Sequence, residues 1–260
     1  MIRLNDISFA YDRSRSVLSH VSLQIGKGER VGIAGANGAG KSTLLKLLVG
    51  LLFPDPMGKT PQESGWIGID GIQVTKKNLA AVRQKIGYVF QDSDAQLFMP
   101  TVEKDVAFAP KNYGLDAAQT QKRVEEALSL VGIEDLRKRS VLELSGGQKK
   151  LVSLATVLSM RPDILLFDEP TIALDPGNRR RFIRILPELG GTHLIVSHDL
   201  DLLLETCGRI ILLSEGRIVA DGDTETILRD QSLLEANGLE LPLLIQGQRL
   251  ASSADQRTHK

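Results

Sequence analysis

The chain has 260 residues, with 32 Lys and Arg against 32 Asp and Glu. That length suits one large α/β domain or a core with a lobe inserted in it, and the charge balance gives no global pull toward nucleic acid or anionic lipid. Hydrophobic residues make up 42% of it, enough for a sizeable core, yet no apolar run reaches the roughly 18 residues that cross a bilayer, and the start, MIRLNDISFAYD, lacks a signal-peptide pattern. The single cysteine, Cys207, excludes an intrachain disulfide and fits a reducing, intracellular setting; it reads as a small apolar filler at a strand start.

Residues 3–11 and 16–25 alternate apolar and polar positions as half-buried strands do. GKGE (26–29) is a turn and RVGIA (30–34) a short apolar strand. Residues 42–52 carry leucines at helical spacing, so strand, glycine loop and helix follow one another directly. Residues 54–65 are dense in proline, glycine and polar side chains and read as a surface loop. Residues 66–70 and 86–90 read as strands. After Gln91 the character changes: 102–113, 117–131 and 146–160 are helical, with no convincing strand among them, which reads as a helical lobe inserted into an α/β core. Then come a buried strand at 164–167, a helix at 179–189 that Pro187 ends or kinks, an apolar strand at 193–196, and a hairpin of 209–213 with 217–220. Past Thr224 lies a short, mostly helical appendage whose polar end, from Gly247, is expected to be mobile.

GANGAGKS (35–42) matches G-x-x-x-x-G-K-[ST] between a strand and a helix. Glycines let the backbone N–H groups wrap phosphate oxygens, and the following helix directs its positive end at the same anion. Lys41 offers a charge to the β- and γ-phosphates, and Ser42 a hydroxyl to Mg²⁺. ILLFDE (164–169) is an apolar strand that ends in two acids. Buried charge needs a partner: Mg²⁺ is that partner for Asp168, and Glu169 then stands where it polarises an attacking water. LSGGQ (144–148) opens the third helix of the helical lobe; its glycine pair permits close approach to an anion, Ser145 adds a hydroxyl, and the plainer reading is a Ser N-cap.

With these three motifs in this order, the chain resembles the nucleotide-binding subunit of an ATP-binding-cassette (ABC) transporter over roughly residues 2–225, LSGGQ being the discriminating motif. The resemblance implies an α/β fold: a P-loop NTPase core of ABC ATPase type with an N-terminal antiparallel β subdomain (residues 1–91 and 161–224), an inserted helical signature lobe (92–160), and a short C-terminal helical appendage (225–260) that is a candidate for dimerisation. It implies ATP and Mg²⁺ as cofactors. Tyr11 would stack on adenine; Asn37, Gly38, Gly40, Lys41, Ser42 and Thr43 would form the phosphate loop; Ser42, Asp168 and the lid glutamine Gln91 would hold Mg²⁺. Lys41, Gln91, Glu169 and His198 would be catalytic, His198 reaching the γ-phosphate. Asp175 would lie in the loop that communicates between subunits, and Ser145, Gly146, Gly147 and Gln148 would contact the ATP of a partner cassette. A single motif set implies a homodimer or a closely related heterodimer.

The stretch after Gln91, DSDAQLFMPTVEKDVAFAP, looks like the energy-coupling-factor branch of importers, as do KKLVSLATVL, HDLDLL and LLEANGLELP. That resemblance implies a transmembrane coupling protein docked between the two lobes, a small substrate-binding membrane protein, no nucleic-acid partner, and a peripheral place on the cytoplasmic face of the cell membrane. Within the branch the chain is most similar to cobalt and nickel import ATPases, with vitamin importers as the alternative. Its histidines, at 20, 193, 198 and 259, are scattered and offer no transport site for a metal. Three departures stand out: Ala36 replaces the usual loop proline, Ile172 and Ala173 precede Leu-Asp, and the 54–65 loop is long. The rival readings are a soluble ABC ATPase, iron–sulfur assembly being the hardest to separate, and an inactive cassette. The 96–110 segment opposes the first; Lys41, Asp168, Glu169 and His198 oppose the second.

Overall fold

The structure is a computed structural model that describes residues 1–12, 16–54, 65–172 and 174–258. Of the expected 54–65 loop, residues 55–64 lie outside the described residues, as does Ala173. Strands β1 (Ile2–Ala10) and β2 (Ser16–Ile25) pair antiparallel; β3 (Arg30–Ala34) leads through the glycine loop into α1 (Lys41–Leu48). β4 (Trp66–Ile69), β5 (Ile72–Gln73), α2 (Leu79–Lys85) and β6 (Ile86–Val89) follow. Next come three helices, α3 (Val102–Asn112), α4 (Ala117–Val131) and α5 (Gly146–Leu158). The chain returns to the sheet with β7 (Ile164–Asp168), α6 (Pro176–Ile185), β8 (Thr192–Val196), α7 (Leu200–Thr206), β9 (Arg209–Ser214) and β10 (Arg217–Asp223). It closes with α8 (Thr224–Arg229), α9 (Gln231–Ala236) and α10 (Leu243–Thr258).

Two sheets result. One is antiparallel, in the order β2-β1-β4-β5; the other runs β10-β9-β3-β8-β7-β6, parallel except for β10. Side chains alternate across a strand, and the second sheet uses that to join two cores. On β7, Ile164 and Leu166 pack with the antiparallel sheet and α1, whereas Leu165 and Phe167 pack with the helical lobe and the C-terminal helices. β8 divides likewise, Leu194 and Val196 to the first side and Ile195 to the second. A strand apolar on both faces has no polar alternation to show, which is why ILLF reads as an unbroken run. At Gly32 a Cβ would come within 2.6 Å of Ile210 Cδ1 and 3.0 Å of Leu203 Cδ2, so a side chain there would push against β9 and α7.

Where element boundaries differ from the sequence reading, caps explain most of the difference. α6 starts at Pro176, not at 179, because Asp175 caps it through Asn178 N and Pro176 supplies the preset first-turn φ. It ends at Ile185, ahead of a 3-10 turn that contains Pro187. α2 went unseen because only Val82 is buried and no side chain caps it. The short α7, capped by Asp199, also went unseen, and Cys207 follows its end instead of opening a strand. Burial pushes the Cys207 thiol up to about 12. The polar end from Gly247, expected to be mobile, is helical in backbone as far as Thr258. Asp201 of α7 accepts from the N–H groups of Leu243 and Leu244 at 3.1 and 2.9 Å, Ile245 is fully buried, and Arg249 donates to Gln231 Oε1 and Arg229 O. Those anchors supply what the polar sequence concealed.

Candidate functional site

The carboxyl ends of β3, β6, β7, β8 and β9 share one edge of the parallel sheet, the edge at which open α/β sheets bind ligands. A cleft of about 1080 Å³ opens there. Tyr11, Asn37, Gly38, Gly40, Lys41, Ser42, Thr43, Gln91, Glu169 and His198 line it, so side chains far apart in sequence converge on one space.

The glycine loop is built to face a ligand with its backbone. Gly38 and Gly40 hold φ of 83° and 102°, and Gly40 occupies the N-cap position of α1 with no side-chain cap. The first N–H groups of α1 are therefore left for an anion, at the positive end of the helix. A Cβ on Gly40 would meet Leu18 Cδ2 at 2.7 Å and Val17 O at 2.9 Å, so a side chain is excluded there. Lys41 is buried and its Nζ donates to the carbonyls of Gly35 and Ala36 at 2.6 and 3.1 Å. Desolvation holds its pKa below the ordinary lysine value, against the pull of Glu169 and Asp168. Tyr11 stands 60% exposed at the rim, its hydroxyl 3.2 Å from Thr43 Oγ1 and its ring edge-on to Phe9. An open ring face at the mouth of an anion cleft suits stacking on a nucleobase.

Behind the loop, Ser42 Oγ donates to Asp168 at 2.8 Å, and Tyr88 donates to the other Asp168 oxygen at 2.9 Å. Burial, then Asp168 itself, raises the Tyr88 pKa, so the phenol stays a donor. Asp168 is 4% exposed and does not form part of the cleft wall. A hydroxyl and a carboxylate side by side, with the Gln91 amide on the same cleft, are hard oxygen donors of the kind Mg²⁺ takes, so the residues fit that ion. Among the described residues no cluster of three or more His, Cys, Asp or Glu side chains could hold a metal ion by itself.

Glu169 has φ of 46°, a region that non-glycine residues rarely enter. Its Oε2 accepts from Ser197 Oγ at 3.1 Å and His198 N at 3.2 Å, and lies 2.8 Å from His198 Nδ1. Three contacts on one oxygen hold the carboxylate at the cleft floor beside an exposed histidine. A fixed carboxylate next to an anion loop can take a proton from a water that attacks the bound anion.

The other expected residues are not in this cleft. Ser145, Gly146, Gly147 and Gln148 open α5, and Asp175 caps α6; none of them lines the cleft. They are neighbours of one another instead, since a Cβ on Gly147 would touch Asn178 and Asp175. Hydrogen bonding to Asn178 keeps the Asp175 carboxyl below the usual range. The cleft also takes in residues that sequence reasoning missed. Ser214, Glu215 and Gly216 come from the β9–β10 turn, and Ala236, Asn237 and Gly238 from the C-terminal appendage. An ideal Cβ on Gly238 would stand 3.8 Å from the Ala36 methyl. The loop residue that departs from the usual proline thus faces the appendage, a link that no sequence signal carried.

One further charge sits close behind. Lys150 of α5 is 2% exposed, and its Nζ donates to the carbonyls of Phe90 and Gln91, each at 2.8 Å. Burial pushes its pKa down to about 8, against the pulls of Asp168, Asp92 and Glu169.

A sequence model of the ABC transporter family matches residues 18–172. A Geobacter sulfurreducens protein that carries the name of an ABC transporter ATP-binding protein is 45% identical over 247 residues, which is 95% of this chain and 96% of that protein. The energy-coupling factor transporter ATP-binding protein EcfA of Methanothermobacter thermautotrophicus is 42% identical, over 93% of this chain and 77% of its own length. Among solved structures, CbiO1 of Clostridium perfringens, part of the ABC transporter complex CbiONQ, superposes with a TM-score of 0.79 at 33% identity, covering 96% of this chain and 98% of that one.

Proposed function

The chain belongs to the ABC transporter family, and from that premise we propose that it is the motor subunit of an energy-coupling-factor importer. As an ABC ATPase it hydrolyses ATP in work coupled to transport and binds ATP with Mg²⁺. The branch assignment draws on the likeness to EcfA and CbiO1 and on residues 92–110. Transition-metal uptake, cobalt or nickel, is the cargo that the sequence resemblance favours. On that reading cargo recognition falls to a small membrane-bound partner.

The observation that carries the proposal is the division of the motifs. The phosphate loop, Gln91, Glu169 and His198 meet in one cleft, while the signature opens α5 outside it. One chain thus holds two half-sites that a second cassette completes, and ABC cassettes dimerise. In this reading the loop N–H groups and Lys41 bind the phosphates, Tyr11 stacks on the base, and the partner's Ser145, Gly146, Gly147 and Gln148 close over the γ-phosphate. Ser42, Asp168 and Gln91 would hold Mg²⁺, which would supply charge neutralisation on the phosphate oxygens. Glu169 accepts the proton of the attacking water, kept in place by Ser197 and His198; Asp175 relays between subunits; the appendage, residues 225–260, contributes to the dimer.

The same reading gives the membrane partner a seat. No helix among the described residues is long and apolar enough to cross a membrane; on the importer reading the chain takes a peripheral place at the cytoplasmic face and grips a transmembrane protein. A groove of about 240 Å³ runs between core and helical lobe, with Phe98, Phe108 and Tyr113 at 63, 40 and 42% exposure along it. Of residues 96–98 Phe98 is the exposed one on this groove: Gln96 lines it half-buried, its amide donating to Ser153 O and Thr156 Oγ1, and Leu97 is buried. Phe98→Asp is expected to cut co-purification with the polytopic coupling protein at least tenfold, with a much smaller effect on basal ATPase. Unchanged capture would overturn the importer assignment at this groove.

A further inference from the structure

Lys150 has a place in the fold that no motif role accounts for. It lies five residues beyond Ser145 on α5, about 7.5 Å along the helix at 1.5 Å per residue. A buried ammonium is costly to keep unless it is hydrogen-bonded, and this one is spent on two backbone carbonyls, those of Phe90 and Gln91, at 2.8 Å each. The same segment is gripped by α5 at neighbouring points. Lys149 Nζ lies 2.6 Å from Asp94 Oδ1, and Gln96 donates to Ser153 O at 2.7 Å while accepting from Phe90 N at 3.1 Å. α5 itself is a packed rod, with Leu151, Val152, Leu154 and Ala155 fully or nearly fully buried. Displacement of its N-terminal end therefore carries residues 90–96 with it, and Lys150 is the tether closest to Gln91.

The geometry points to Lys150 as a positioning residue that ties the lid glutamine of a subunit's own ATP site to the signature motif facing the partner's ATP, so that the two sites act in concert. This rests on the dimeric ABC reading given above. Lysine meets the requirement because a three-donor head on a flexible stem satisfies two carbonyls at once without itself reaching into the cleft. Lys150 is absent from the cleft wall, whereas Gln91 is part of it. An effect of Lys150 on turnover must therefore pass through the segment it holds.

The test compares full-length wild type, Lys150→Met and Lys150→Arg, with Lys41→Ala as the inactive reference, in steady-state ATPase assays at increasing ATP. The expected result for Lys150→Met is a kcat at least tenfold lower, a KM for ATP within threefold of wild type, and a Hill coefficient reduced toward one. Lys150→Arg should recover kcat to within threefold. A folded Lys150→Met with kcat within twofold of wild type and unchanged cooperativity would overturn the proposal, as would an equal loss in the arginine variant. Should the methionine variant precipitate, Lys150→Gln replaces it under the same criteria. If wild-type turnover does not exceed that of Lys41→Ala, the ATPase reading itself fails. The tether is then judged by amide hydrogen exchange at residues 90–96, expected to rise at least tenfold in the methionine variant; unaltered exchange would overturn it.

Discussion

Two glycine-rich turns open helices in this chain, and they are finished in opposite ways. At α1 the N-cap is Gly40 in a left-handed conformation, no side chain caps the helix, and the loop glycines Gly38 and Gly40 both have positive φ. At α5 the cap is Ser145, whose hydroxyl accepts from Gln148 N while Gln148 Oε1 accepts from Ser145 N, a closed capping box. Gly146 and Gly147 keep ordinary helical backbone, and Gly146 is open to space. The first helix end is therefore left incomplete for a ligand within its own chain. The second carries its own cap, and in the proposed dimer its glycines give access to the partner's ligand. In the isolated subunit α1 thus leaves its first turn uncapped, whereas at α5 the box takes up the N–H groups of Ser145 and Gln148 and leaves those of Gly146 and Gly147 outside it.

The sharpest way to bring the two ends together is Glu169→Gln. The amide keeps the side-chain length and cannot take a proton, so hydrolysis should fall by about 10²–10⁴-fold, the usual worth of a general base, with ATP binding retained. An ATP-dependent dimer seen by size-exclusion chromatography or light scattering is the expected outcome; normal turnover would remove Glu169 from its role. Gly40→Ala comes next. Positive φ costs an alanine ~1–2 kcal/mol, and its Cβ would strike Val17 O, so both thermal stability and ATP affinity should drop, the latter at least tenfold by equilibrium titration. Gly146→Ala should separate the two turns most clearly. Nothing lies within 4 Å of its Cβ, so the monomer should melt at the wild-type temperature or slightly above, while ATP-driven dimerisation weakens. Equal damage from both alanines would erase the distinction. The smallest effect belongs to Ser145→Ala, which removes the cap of α5 at ~1 kcal/mol, measured by denaturant unfolding, and lowers dimer formation as well.

The strand, loop and helix around residues 30–48 were legible because each has its own local signal, and α4 spans the expected 117–131, with Asp116 capping its start and the left-handed Gly132 its end. The capping box at α5 was also in the letters, since S-G-G-Q is an S-x-x-Q pattern, though the anion reading drew attention away from it. Asp175 likewise carries an Asp-Pro helix start that the inter-subunit reading overlooked. What could not be read is how distant segments meet. Ala236, Asn237 and Gly238 reach the cleft only because Asp201 caps α10 and Leu234 and Ile245 bury in the core beneath. Lys149 and Lys150 are adjacent and alike in sequence; Lys149 pairs with an exposed carboxylate, Lys150 turns to two backbone carbonyls, and only the fold separates them.

The alternation along β7 and β8 has a thermal consequence. Ile164 and Leu166 belong to one apolar cluster and Leu165 and Phe167 to the other, so a single five-residue strand is a shared wall. Neither cluster can come apart without exposing a face that the other needs. Burying each such side chain contributes ~1.5–3 kcal/mol, and that sum is common property. The helical lobe and the nucleotide core, which invite description as separate modules, are thereby one cooperative body: heat should dissolve both in a single endotherm, and a ligand at the phosphate loop should delay the melting of helices that never touch it.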